Sequence, residues 1–138
     1  MPLHITVLPE SRVVLIAGAE FVSGTDLARA CLDMGHHPDW RSGFDEVWDL
    51  SGASEIDITP DELDEIVEVT HRYGHLVGGN RVVFVSPRDI IAALARLFEL
   101  RTADLGRTYH VARTRGEAAD WLGLAPGTLG HARRLRPR

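Results

Sequence analysis

The chain has 138 residues, 44% of them hydrophobic and 25% charged, values that fit one compact domain with a core of its own. Lysine is absent, and the net charge of −5 is unevenly spread: the last eight residues hold four of the 15 arginines and no acid, so the first 130 carry −9. An acidic body argues against a nucleic-acid-binding domain, the longest apolar runs are too short to span a membrane, no signal-peptide pattern opens the chain, and a lone cysteine, Cys31, excludes an internal disulfide, so a cytoplasmic protein is expected.

In chain order, "LHITVLP" alternates with the strand period, "PESR" reads as a turn, and "RVVLIAGAEF" is a continuous apolar run suited to a strand buried on both faces. Together they predict a hairpin. "SGTDLARACLDMGHH" places Leu27, Ala30, Cys31 and Met34 at helical spacing, and "HHPDWRSG" is a loop. "FDEVWDLSGA" is a short strand. "DELDEIVEVTHRYGHLV" sets Leu63, Ile66, Val67, Thr70 and Tyr73 on one stripe with acids opposite, and "GGN" ends it. "RVVFVS" is a further strand, "PRDIIAALARLFEL" a helix with Ile91, Leu94, Ala95 and Phe98 inward, "RTYHVAR" a last strand and "RGEAADWLGL" a last helix. The order β-β-α-β-α-β-α-β-α predicts right-handed crossovers and an α/β fold: a mixed, mainly parallel five-stranded sheet with four helices.

Each predicted helix follows a hydroxyl with an acid three residues on: Ser23 and Asp26, Thr59 and Glu62, Ser86 and Asp89, Thr114 and Glu117. This is capping-box spacing or its aspartate variant. Pro60 and Pro87 suit the first helical position, where a missing N–H costs nothing. Thr59 thus has a structural task, and a phosphate there would face Asp57, Asp61 and Glu62.

Catalytic constellations are sparse. "VGGNR" lacks the phosphate-loop pattern and its lysine, and no G-x-S-x-G elbow is present. Cys31 reads as a buried small hydrophobe. His71 and His75 are four apart on a helix, but without the H-E-x-x-H pattern or a third ligand they read as surface residues. His36 and His37 fall in a loop, and His110 faces away from Tyr109 and Val111 on its strand. Asp49 ends the strand "EVWDL", where α/β proteins place functional groups; the simpler reading is a strand-end carboxylate accepting loop N–H groups. No catalytic residue, cofactor or metal is expected.

"VWDLSGASEIDITPDEL" resembles the third strand, loop and helix start of STAS domains, the SpoIIAA-like fold of anti-sigma-factor antagonists; Asp49, Leu50, Ser51, Ile56 and Asp57 match the pattern. The loop "HPDWRSG", the helix segment "LARLFE" and the closing "EAADWL" resemble an uncharacterised bacterial branch described as SpoIIAA-like or STAS/SEC14-like, and the likeness covers residues 3 to 122. In the antagonists the residue after the aspartate is a phosphorylated serine; here it is Ile58. The resemblance implies a SpoIIAA-like domain over residues 1–123, followed by an arginine-rich tail over 124–138. It implies a non-catalytic regulatory or protein-interaction module, with Asp49, Ser51, Ser54, Asp57, Thr59 and Asp61 as the candidate interaction loop. The alternative is a small-molecule or lipid-binding module of SEC14-like type, with Trp40, Phe44, Trp48, Phe98 and Trp121 around an apolar pocket. The expected partner is accordingly a protein or an apolar ligand, with a homodimer through an exposed apolar helix face as a further expectation.

Overall fold

The computed structural model describes residues 3–130, the His75 side chain apart. In chain order it comprises β1 (Leu3–Leu8), a 3-10 turn (Pro9–Ser11), β2 (Val13–Gly18), β3 (Glu20–Ser23), α1 (Gly24–Gly35), β4 (Asp45–Asp49), β5 (Ala53–Asp57), α2 (Pro60–Arg72), a single turn α3 (Gly74–Val77), β6 (Arg81–Val85), α4 (Asp89–Arg101), a 3-10 turn (Ala103–Leu105), β7 (Thr108–Ala112) and α5 (Arg115–Leu122). Five strands make one sheet in the order β1-β2-β4-β6-β7, with β1 antiparallel to β2 and the other pairs parallel. The fold is α/β, with the expected hairpin, mixed sheet and four principal helices.

Alternation along the strands builds two cores. Val14, Ile16, Trp48 and Val82 point to one face, where they meet Leu27, Ala30 and Met34 of α1, Ile66 and Val69 of α2, and Ile91 of α4. Val13, Leu15, Val47, Val83, Val85 and Ala112 point to the other, where α5 supplies Ala118, Ala119 and Leu122. Strands buried on both faces explain the continuous apolar runs.

Four features depart from the expectations. The run "RVVLIAGAEF" is two strands: Glu20 takes a left-handed φ of 59° and turns the chain out of the main sheet, and β3 then pairs in parallel with β5 in a small second sheet. The helix read through Val77 stops at Arg72 and resumes as α3; Gly74 lets Leu105 pack closely there, since a Cβ would lie 2.8 Å from Leu105 Cδ2 and that side chain would have to shift. Ser86 does not cap α4. Its N–H is spent on the Ala112 carbonyl, its hydroxyl accepts from the Arg88 N–H, and the helix begins two residues beyond Pro87 at Asp89. Finally, the domain extends past residue 123. The turns after α5 fold back and bury Leu129 to 4% exposure in the second core, while Arg115 Nη1 donates to the Leu129 carbonyl at 2.8 Å. Residues 131–138, with the tail arginines, lie outside the described residues.

Candidate functional site

The small sheet positions the candidate loop. β3 delivers Ser23 to the start of α1 and β5 delivers Thr59 to the start of α2, so both helices begin side by side. Both starts are full capping boxes: Ser23 exchanges hydrogen bonds with Asp26, and Thr59 with Glu62. Glu62 reaches further. Its Oε1 accepts from the Thr59 N–H at 3.0 Å, and its Oε2 accepts from the Thr25 hydroxyl at 3.1 Å. The Thr59 N–H first, and then the Thr25 groups, hold its carboxyl below the usual carboxylate range. The two helix ends approach so closely that a Cβ on Gly24 would lie 2.4 Å from Glu62 Cβ.

Ser54, Asp57, Thr59 and Asp61 all sit on one exposed run from β5 into the first turn of α2. Arg88 braces this run from the opposite side, donating to the Ala53 and Ser54 carbonyls at 2.8 and 3.0 Å. Asp49 is not part of the surface. It is buried, its Oδ1 accepts from the Ser51 N–H at 2.9 Å and the Ser51 hydroxyl at 2.5 Å, and its Oδ2 accepts from Arg115 Nε at 2.5 Å. Ser51 is half-buried and bound to it. Ile58 packs its side chain toward the first core.

The aromatic candidates divide among three places. Trp48 and Phe98 line an apolar cavity of about 70 Å³ between the sheet and α1, α2 and α4. Trp40 and Phe44 are buried in the first core but do not line it. Trp121 lies on the opposite face of the sheet, stacked on His110 with ring centroids 4.8 Å apart. The pocket as drawn from the sequence is therefore corrected: Trp40 and Phe44, in the loop before β4, pack in the first core away from the cavity, and Trp121 rides on α5, which covers the other face of the sheet.

Charged residues at the cavity are the feature the sequence reading missed. Glu46 and Arg107 both line it, and they pair at 2.8 Å with each side chain only 3% exposed. Glu46 also accepts from Trp48 Nε1 at 2.9 Å and Asn80 Nδ2 at 3.1 Å, and Arg107 Nε donates to Asn80 Oδ1 at 2.9 Å. Burial works against the Arg107 charge, but Glu46 first, and then Tyr109 and Cys31, together hold the guanidinium above its ordinary range. The guanidinium also stands 5.4 Å over the Tyr109 ring. Tyr109 stacks on Phe84, and both meet Phe98 edge to face. Cys31 opens onto the same cavity, where burial, reinforced by Glu46, pushes its thiol up to about 12.

The other leads are engaged elsewhere. His71 Nε2 meets Asp104 at 3.0 Å, and its Nδ1 faces the Val67 carbonyl at 3.0 Å. Among the described residues no group of three or more His, Cys, Asp or Glu side chains gathers to hold a metal, and no helix is long and apolar enough to cross a membrane.

Comparison with solved structures places this architecture. The protein has a SpoIIAA-like fold. It is similar to an uncharacterized protein of the DUF3478 family with a SpoIIAA-like fold from Shewanella loihica PV-4, at 11% identity and a TM-score of 0.59 over 87% of this chain and 91% of that one. It is also similar to the anti-sigma factor antagonist SpoIIAA in its unphosphorylated form, at 10% identity and a TM-score of 0.56 over 88% of this chain and 97% of that one. At such identities these likenesses speak to the fold alone. No family model and no curated protein matches the chain.

Proposed function

We propose that this protein is a non-catalytic regulatory module that binds another protein through the exposed run carrying Ser54, Asp57, Thr59 and Asp61. The observation behind this reading is that the run is solvent-facing yet held rigid: Glu62 ties it to α1, the Thr59 box fixes its helix end, and Arg88 anchors its backbone. Rigidity before binding lowers the entropy lost on association. The leads toward chemistry, Asp49 and His71, are each engaged in internal hydrogen bonds. The fold likeness to an anti-sigma factor antagonist agrees with such a role. Ile58 stands where the resemblance would put a phosphoserine, so the module is read as one without that switch. Photo-crosslinkers placed at Ser54 and Asp61 in the native host test the reading. A discrete adduct that Asp57→Arg abolishes supports it; adducts indifferent to Asp57→Arg sink it.

A second reading, a small-molecule or lipid-binding module, rests on the apolar cavity. Its size weighs against it: about 70 Å³ is well below the roughly 300–1,000 Å³ of ordinary ligand sites, so a lipid would require α4 to move outward. Native mass spectrometry of protein isolated from its host decides this, because a stoichiometric apolar mass would favour the cavity over the loop.

A further inference from the structure

Helix α4 carries two apolar stripes. One, Ile91, Leu94, Ala95 and Phe98, turns toward the sheet side. The other, Ile90, Ala93, Leu97 and Leu100, recurs three, seven and ten positions along, which sets it on a second face. Ile90, Leu97 and Leu100 are 59%, 43% and 60% exposed. A helix that only roofs a sheet carries polar residues on such a face.

Helix α2 lies alongside. Arg101 of α4 donates to Asp64 of α2 at 2.9 Å, and His71 near the end of α2 meets Asp104 just beyond α4. The outward residues of α2 are the exposed acids Asp61, Asp64, Glu65 and Glu68. Arg101 pairs with Asp64 and Arg72 with Glu68, so the ridge keeps a net negative charge. The α2–α4 face thus has one apolar wall and one acidic wall.

We propose that this face docks an amphipathic helix of another protein, its apolar side on Ile90, Leu97 and Leu100 and its flank toward α2 basic. An apolar centre with complementary charge at the rim is the usual anatomy of a specific interface. A second copy of this chain fits poorly. In an antiparallel two-fold pairing of α4 with α4, like flanks meet, so each α2 ridge would face the same acids on the other copy. An anionic lipid surface would meet the same repulsion. The proposal deepens the interaction reading above and rests on it. Asp61 apart, it uses residues outside the loop surface.

The test uses two synthetic helical peptides of about 18 residues, roughly five turns. Both carry leucines three, seven and ten positions along one face; the flanks are arginine in one and glutamate in the other. Binding is measured by fluorescence anisotropy on the full chain, on the Leu97→Asp/Leu100→Asp variant and on the Asp61→Asn/Asp64→Asn/Glu68→Gln variant. All substituted side chains are exposed, and circular dichroism checks that the variants fold. The expected result is saturable binding of the arginine peptide to the unaltered chain, about tenfold or more weaker on each variant, with the glutamate peptide weaker by at least as much. The proposal is overturned if the arginine peptide does not bind, or binds the Leu97→Asp/Leu100→Asp variant equally well. It is also overturned if light scattering finds a dimer that this variant renders monomeric. None of these failures touches the loop reading, which the crosslinks at Ser54 and Asp61 test separately.

Discussion

Glu46 and Arg107 form a salt bridge at 2.8 Å beneath the helices, both side chains almost wholly removed from water. Such a pair offsets a large desolvation penalty only while both charges and their hydrogen bonds are present. Arg107→Met leaves a buried carboxylate with Trp48 and Asn80 as its remaining partners. We expect a loss of about 3–5 kcal/mol in urea unfolding. The double variant Glu46→Leu/Arg107→Met should recover most of that loss. A double variant no more stable than the single one would show that the ion pair itself is needed.

The junction of α1 and α2 predicts an order of severity. Thr59→Ala removes one cap and should cost about 1 kcal/mol. Gly24→Ala puts a methyl 2.4 Å from Glu62 Cβ, within the backbone-proximal part of that side chain, and must push the helix ends apart at roughly 1–3 kcal/mol. Chemical denaturation of both variants checks the ranking, which equal or reversed losses would refute.

His71 gives a pH dependence with a definite sign. Its Nε2 faces a carboxylate and its Nδ1 faces a carbonyl, so only the doubly protonated ring donates to both. Asp104 first, and then the Val67 carbonyl, hold its pKa above the ordinary imidazole value, and His71 in turn holds the Asp104 carboxyl below its own. The His71 contribution is full below the ordinary histidine pKa of about 6.5 and is lost as pH rises through the raised value. At the acid end the contribution fades as pH falls through the lowered Asp104 value. Asp104→Asn should therefore reduce stability in mildly acidic solution and much less in alkaline solution. Its NMR titration should show a lower His71 midpoint; an unchanged midpoint would contradict the pairing.

Cys31 should be inert in the folded protein. With its thiol pushed up to about 12, almost none is thiolate at mildly alkaline pH. Iodoacetamide should modify it slowly in buffer and rapidly in concentrated urea. Equal rates in both would mean the cavity is open to solvent.

The parts of this fold that were legible in the sequence are those written in local patterns. The cap residues Ser23, Thr59 and Thr114 mark three helix starts because the hydroxyl and its backbone N–H lie within one turn. Ser54, Asp57, Thr59 and Asp61 share a surface because they are nearly contiguous in the chain. Asp49 looked available because its partner Arg115 is 66 residues away. The second sheet was hidden because its start depends on a left-handed Glu20 within an unbroken apolar run. Phe84 could have been found: it pairs with Trp48 across β4 and β6, and residues in register share a face. Glu46 also carried a signal, two positions before Trp48 on the same strand face. Arg107 carried none, since a polar residue before a strand is ordinary.

The β3–β5 pairing also bears on how fast the protein comes apart. Its partners are 33 or 34 positions apart, whereas Leu8 and Val13 close the hairpin from five positions away. Between β3 and β5 the chain must lay down α1 and set β4 beside β2, so this ladder is expected to close after the rate-limiting step. Contacts made that late govern the unfolding rate and leave the refolding rate nearly untouched. The small sheet then serves as a latch on the lifetime of the native state, and its worth would be read in kinetics before it showed in any binding assay.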